Sequence, residues 1–115
     1  MTLVPDATPL MLSAENRSTP YTIPVKWQHI PAPLMNGILR GYRINYQAVE
    51  AGDEKVSNFP VKEKITGPNT TAFVLDQLES YTVYHIKVTG FTNVGDGPEA
   101  FIYAGRFVIL IIIEQ

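Results

Sequence analysis

The chain has 115 residues, an apolar fraction of 45%, a charged fraction of 17% and a net charge of −2 at pH 7. These values describe one ordinary globular domain, which is large enough to bury a core without a metal or a disulfide. The weak negative charge gives no electrostatic reason to bind nucleic acid or an anionic membrane. The absence of cysteine excludes disulfides, cysteine nucleophiles and thiolate metal sites.

The N-terminal residues carry no recognisable targeting signal. Residues 1–4 lack the basic region and long apolar run of a signal peptide. No stretch of about 18 apolar residues, the length that a membrane span needs, occurs in the sequence. We therefore expect a piece of a longer protein, in which residues 1–4 are an N-terminal extension and the domain starts at residue 5. The first predicted strand is a short edge strand around residues 9–12.

Residues 21–27 predict the second strand, because Ile23, Val25 and Trp27 alternate onto one face. Pro24 lies among them and cannot donate a backbone hydrogen bond, so it belongs at a strand start, at an edge or at a bulge. Its position leaves the length of this strand open.

Three further strands are predicted between residues 36 and 75. The first covers residues 38–46, after an Asn36-Gly37 turn, and places alternate aromatic and aliphatic side chains on one face. A less regular strand is predicted within residues 56–65, after a charged turn. The third covers residues 71–75, after a turn at residues 67–70.

The clearest alternation in the chain follows Leu78. Two faces result, with Tyr84, Ile86 and Val88 on one and His85, Lys87 and Thr89 on the other. This pattern is typical of a strand with one buried and one solvent-exposed face. A cluster of chain-reversing residues from Asn93 to Pro98 then predicts a turn into a last strand over residues 100–106. Seven short strands without an amphipathic helix predict an all-β sandwich.

Four features, in this order along the chain, resemble the fibronectin type III family. They are Trp27 at the end of the second strand, the phrase Asn36-Gly37-Ile38-Leu39-Arg40-Gly41-Tyr42, the Leu78–Tyr84 spacing and the Gly95–Gly97 turn. The resemblance covers residues 5–106. It implies a seven-stranded, antiparallel, immunoglobulin-like β-sandwich.

The resemblance also implies roles for two aromatic residues. Tyr84 matches the tyrosine corner of the family, whose hydroxyl bonds to the backbone just upstream, here between Leu78 and Tyr81. Trp27 matches the tryptophan that fills the core between the two sheets. Its expected neighbours are Tyr42, Ile44, Leu75, Leu78, Ile86 and Val88.

Residues 107–115 form an apolar C-terminal extension, in which Phe107 to Ile113 are seven apolar residues in a row. One interpretation is a long last strand that a neighbouring domain or a second copy covers on both faces. The other is a native linker or an added tail. Because exposed apolar edges invite association, the first interpretation predicts self-association. The contact residues would be Phe107, Ile109, Ile111 and Ile113, or their alternates.

The sequence offers no catalytic constellation. His29 and His85 are far apart in sequence, and the alternation puts His85 on the exposed face, which disfavours a metal role. The acidic pair Asp53-Glu54 lies in a turn, where solvation explains it and no shielded pocket would shift a pKa. No nucleophile elbow, phosphate-binding loop or Arg-Gly-Asp tripeptide occurs. We expect neither enzymatic activity nor a cofactor.

Two N-glycosylation acceptor sequences fall in predicted surface turns, at Asn16 and at Asn69. They either carry glycans in a secreted protein or are unmodified polar loop residues. Asn69 is the better candidate, because a threonine stands at the third position of its acceptor sequence.

The resemblance implies a non-catalytic module of a cell-surface adhesion or receptor ectodomain, acting as a spacer and a protein-interaction surface. Its partners would be other proteins or neighbouring domains of the same chain, and its location the outside of the plasma membrane or the extracellular space. The alternative is an intracellular muscle-type domain or a domain attached to an enzyme. Fold alone does not decide between them.

Overall fold

A computed structural model describes residues 4–14, 21–31, 36–51, 54–55 and 59–105. These residues contain eight β-strand segments. In chain order they are β1 (Leu10–Ala14), β2 (Ile23–Gln28), β3 (Gly41–Ala51), β4 (Glu54–Lys55), β5 (Lys62–Thr66), β6 (Ala72–Leu75), β7 (Thr82–Phe91) and β8 (Asp96–Gly105). Within these ranges no helix is long and apolar enough to cross a membrane.

The strands form two antiparallel sheets that pack as a sandwich. One sheet has the order β1-β2-β6, and the other has the order β4-β3-β7-β8, with β5 also paired to β3. The predicted fold class is therefore confirmed. Within the predicted irregular strand at residues 56–65, the structure has β5, which pairs with β3 from Tyr42 to Tyr46, while residues 56–58 lie outside the described residues. The short strand β4 lies instead in the predicted charged turn and pairs with the end of β3.

Pro24 lies inside β2 without breaking its pairing with β6. The backbone N–H of Trp27 donates to the carbonyl of Thr71 at 2.9 Å, so the backbone hydrogen-bonding groups of Trp27 point towards β6. By alternation the backbone nitrogen of Pro24 points to the opposite side, towards β1. The described pairing with β1 ends there, at Ala14 opposite Val25. The proline thus stands at the end of one ladder, where its missing N–H costs least.

The core lies between the sheets and is built from the residues that alternate inward. Trp27 is 4% exposed, and its ring lies edge-on against Tyr42 with a centroid separation of 5.4 Å. The predicted burial of Trp27 is confirmed. All of the neighbours that the sequence suggested for it belong to the buried core: Tyr42, Ile44, Leu75, Leu78, Ile86 and Val88.

Tyr84 forms the predicted corner at the start of β7. The Glu79 N–H donates to the Tyr84 hydroxyl oxygen at 2.8 Å, and the Tyr84 side chain is buried. The Leu78 N–H donates to the carbonyl of Tyr21 at 3.0 Å, which ties the same corner to the chain just before β2. The hydroxyl contact confirms the expected bond to the backbone between Leu78 and Tyr81.

The alternation predicts that Thr89 lies on the exposed face of β7. This prediction is wrong, because Thr89 is only 3% exposed. Thr89 lies opposite Arg43 on β3 and Glu99 on β8. We attribute the burial of Thr89 to these two long side chains, because the apolar stem of an arginine or glutamate can lie along the sheet surface beside a short residue.

The last strand begins earlier than the sequence predicts. The chain reverses between Thr92 and Gly95, where the Thr92 N–H donates to the Gly95 carbonyl at 3.0 Å. β8 then starts at Asp96, opposite Phe91, and the register shifts before Glu99. One residue of β7, Gly90, faces two residues of β8, Gly97 and Pro98, so the extra residue is a bulge on β8. This bulge accommodates Pro98 within the strand.

Two glycines of β8 fix its ends. A Cβ atom at Gly97 would lie 2.6 Å from the carbonyl oxygen of Pro5, so only glycine allows the N-terminal segment to lie this close. Gly105 has a φ of 138°, and a Cβ there would collide with the backbone of Thr82. The strand therefore begins under the N-terminal segment and ends beside the start of β7.

Candidate interaction surface

The outer face of the larger sheet carries the side chains that alternate away from the core. On the part of this face nearest Asp96, charged groups neutralise one another. The Arg43 Nε atom lies 3.2 Å from Asp96 Oδ2, and its Nη1 atom lies 3.3 Å from Glu63 Oε1. The Arg43 guanidinium also lies 4.9 Å from the centre of the Phe91 ring. This part of the face satisfies its own charges.

A third ion pair continues this charged part towards β8. Lys87 Nζ lies 3.4 Å from Glu99 Oε2, across the pair of strands β7 and β8. The amide of Asn45 also donates to Glu63 Oε2 at 3.2 Å. Because these groups are partly exposed, each contact contributes little to stability, on the order of 0–1 kcal/mol.

The remainder of the face, towards Gly105, carries three rings that we call the aromatic cluster: His85, Phe101 and Tyr103. The His85 ring stacks on Tyr103 with a centroid distance of 4.7 Å and meets Phe101 edge-on at 5.2 Å. Phe101 and Tyr103 lie 6.1 Å apart and nearly perpendicular. Phe101 is nevertheless 59% exposed and Tyr103 62% exposed. The cluster is preformed and still presents most of its two largest rings to solvent.

The environment of His85 favours its neutral form. Partial burial among the rings lowers the pKa of His85 below 6.5, and the positive charge of Lys87 lowers it further. The carboxylate of Glu99 opposes both effects and raises the pKa. At neutral pH the cluster therefore behaves as an aromatic surface rather than a cationic one.

The backbone of β8 adds hydrogen-bonding groups beside the aromatic cluster. Thr92 faces β8, because its N–H donates to Gly95 across the turn. By alternation the even-numbered residues of β7 also point their backbone groups towards β8. Their partners in the register are the even-numbered residues Ala100, Ile102 and Ala104, which therefore bond to β7. The odd-numbered residues from Glu99 to Tyr103 then point their N–H and C=O groups away from β7. Among the described residues β8 pairs with β7 alone. These groups therefore form an edge without a paired strand, which we call the open edge, and β1 of the smaller sheet lies near it.

In the described ranges no three metal-ligating side chains come together. His85 contacts aromatic rings, and His29 Nδ1 lies 3.0 Å from the buried hydroxyl of Tyr42. The two histidines therefore serve separate parts of the fold.

The structure describes only one of the site residues that the sequence singled out. Asn69 is exposed in the turn closed by the Thr70 N–H and the Gly67 carbonyl, 3.3 Å apart. The others lie outside the described residues: Asn16, Phe107, Ile109, Ile111 and Ile113. Sequence reasoning missed the aromatic cluster. Its signal was the period-two spacing of Phe101 and Tyr103 in the last strand.

Comparison with known families gives one match over most of the chain. A family model described as fibronectin type III domain matches residues 7–105.

Three curated relatives have similar sequences. The chain is 34% identical to chicken protein sidekick-1 over 94 residues, which cover 82% of this chain and 4% of that protein. It is 32% identical to Drosophila melanogaster protein sidekick over 96 residues, which cover 82% of this chain and 4% of that protein. It is 30% identical to the human cell adhesion molecule DSCAML1 over 96 residues, with coverages of 84% and 4%. The chain thus spans a small fraction of the length of these relatives.

Two solved structures have the same fold. The third fibronectin III domain of human KIAA0343 protein superposes with a TM-score of 0.77 at 22% identity, covering 90% of this chain and 83% of that one. The FN1–FN3 domains of chicken CNTN1 superpose with a TM-score of 0.69 at 26% identity, covering 87% of this chain and 31% of that one.

Proposed function

We infer that this chain, which belongs to the fibronectin type III family, is a non-catalytic module of a cell-surface adhesion ectodomain. It would act there as a spacer and as a surface for protein contacts. We place the domain at residues 5–106, between a short N-terminal extension and the apolar C-terminal residues 107–115. The similarity to sidekick and DSCAML1 proteins supports the adhesion role, since the second is named as a cell adhesion molecule.

The observation that carries the spacer role is the position of the chain at the two ends of the sandwich. The N-terminal segment meets the turn between β7 and β8, where Val4 and Pro5 lie beside Gly95 and Gly97. β8 then runs for ten residues to Gly105. At about 3.3 Å per residue this is roughly 30 Å. The chain enters at one end and leaves at the other, as a module in a linear string requires.

Asn69 is exposed, as a glycosylation site of a secreted protein must be. A glycan there would extend from the turn at residues 67–70 into solvent, away from the aromatic cluster on the sheet face. We propose Asn69 as a glycosylation site and keep Asn16 as a second candidate. Intact-mass analysis of the chain secreted from mammalian cells, before and after removal of N-glycans, tests both sites, with Asn69→Gln and Asn16→Gln as matched variants.

Labelling of intact cells tests the ectodomain assignment itself. An antibody raised against this domain should stain unpermeabilised cells that express the parent protein. Staining that appears only after permeabilisation would contradict the assignment and support an intracellular spacer.

A further inference from the structure

We propose that two copies of this chain pair through the open edge of β8, from Glu99 to Gly105, across a two-fold axis. The proposal rests on the proposed role as a protein-interaction module and names the partner as a second copy. It concerns described residues, and so differs from the predicted contact through residues 107–113.

The first argument is the composition of the edge. Natural sheets protect their edges with charges, prolines or short strands. β5, at the other side of the sheet, is five residues long and includes Lys62, Glu63 and Lys64. β8 has no charged residue from Ala100 to Gly105, and its only proline, Pro98, precedes this stretch. From Ala100 to Gly105 the β8 edge therefore lacks the charges and prolines that protect other edges, while the bulge and the N-terminal segment lie at its start.

The second argument is the self-complementarity of this edge. In an antiparallel two-fold pair, the outward-facing residues of the two strands must lie opposite one another. Centring the axis on Ile102 meets this condition and places Phe101 opposite Tyr103 of the second copy. Aromatic cross-strand pairs stabilise sheets, and the two aromatic clusters would join into one stripe.

The same register also avoids a charge conflict. Glu99 of one copy lies opposite Gly105 of the other, so the two carboxylates are not paired, and Gly105 has no side chain to obstruct the approach. The Lys87–Glu99 ion pair, 3.4 Å long, remains on the outer face of each copy. A foreign peptide could satisfy the backbone groups, but the second copy also brings the matching aromatic rings.

The exposed area limits the strength of this contact. The four rings of two copies would contribute on the order of 500 Å², whereas standard interfaces bury about 1,200–2,000 Å². Backbone hydrogen bonds along the edge add directionality but little area. We therefore expect a weak dimer of isolated chains, which arrays of molecules on a membrane would strengthen through multivalency.

Sedimentation velocity on the full chain tests the proposal. The wild-type chain should sediment faster as its concentration rises, and the double variant Phe101→Lys, Tyr103→Lys should lower the association constant at least tenfold. The control is Ile65→Lys on β5, because Ile65 is 56% exposed on the same face but lies at the charged edge. It should associate like the wild type. Circular dichroism confirms that each variant is folded.

Three results would overturn the proposal. They are a wild-type chain that stays monomeric at the highest concentration, equal association of the double variant and the wild type, and equal loss in the control. Association that survives the double variant would instead point to residues 107–113. None of these results would affect the labelling of intact cells, so failure of this inference and failure of the proposed function can be told apart.

Discussion

The two outer strands of the larger sheet, β5 and β8, differ in how they meet solvent. Both belong to the same sheet and present apolar side chains on the same outer face, since Ile65 is 56% exposed and Phe101 59% exposed. β5 surrounds its isoleucine with lysine and glutamate side chains. On β8, Phe101 lies between the Lys87–Glu99 ion pair and Tyr103, and His85 on β7 completes the aromatic cluster.

This difference shows that exposure alone does not identify an interaction edge. Single exposed apolar residues are common on soluble proteins and need no special explanation. What distinguishes β8 is the coincidence of uncharged composition, outward-facing backbone groups and a preformed cluster. The β5 edge also has exposed apolar surface, but Lys62, Glu63 and Lys64 disfavour the addition of another strand there.

The largest expected effect is the loss of the core that supports both β5 and β8, because neither edge exists in an unfolded chain. Trp27→Ala should cost about 3–5 kcal/mol of unfolding free energy, close to the total stability of a small domain. Trp27→Phe should cost clearly less, since it keeps most of the volume and removes Nε1, a buried donor without a partner among the described residues. Chemical denaturation of both variants gives the values. Equal costs would contradict the packing described for Trp27.

A smaller effect is expected at the corner that leads the chain into β7, the strand to which β8 is attached. Tyr84→Phe removes the hydroxyl oxygen of a buried side chain, and the partly buried Glu79 N–H loses the acceptor of its 2.8 Å hydrogen bond. This should cost about 1–3 kcal/mol, measured by urea denaturation. Tyr103→Phe is the matched control, because the Tyr103 side chain is exposed, and it should change little. An unchanged midpoint for Tyr84→Phe would refute the corner.

Substitutions at the two edges should separate stability from association. Phe101→Lys and Ile65→Lys each replace an exposed side chain, so each should shift the unfolding free energy of the dilute monomer by no more than about 0.5 kcal/mol. Thermal denaturation at low concentration measures this. A large loss for Phe101→Lys alone would mean that Phe101 supports the fold itself, and the contrast between the edges would then be one of packing.

The smallest expected effect is a pH dependence confined to the β8 side. The pKa of His85 is lowered in the folded state by burial and by Lys87, and Glu99 opposes the shift. The unfolded chain therefore binds this proton more readily, and stability should fall as the pH drops below about 6.5. His85→Gln should reduce that slope in thermal unfolding measured between neutral and mildly acidic pH. An identical slope in the variant would show that other groups cause it.

Alternation along the chain was sufficient to predict the sandwich and the buried face of β7, and the family resemblance carried by the Leu78–Tyr84 spacing predicted the corner at Tyr84. These features depend on local periodicity and on spacings within a single segment. Thr89 was mispredicted because its neighbours across the sheet, Arg43 and Glu99, belong to other strands, which periodicity cannot locate.

The aromatic cluster was missed for the same reason. Phe101 and Tyr103 alternate visibly, but only the register that sets His85 opposite Tyr103 assembles the three rings. The early start of β8 also depends on a distant contact, because the close approach of Pro5 explains why a glycine stands at position 97. The sequence motif alone suggested a longer turn.

Amide hydrogen exchange along β8, followed by NMR at low and high protein concentration, tests the central claim most directly. The Ile102 N–H faces β7 and should be protected at both concentrations, which provides an internal reference. The Phe101 and Tyr103 N–H groups face the open edge, so they should exchange quickly in dilute solution and more slowly when the chain is concentrated. Exchange at Phe101 and Tyr103 that does not change with concentration would contradict pairing through this edge.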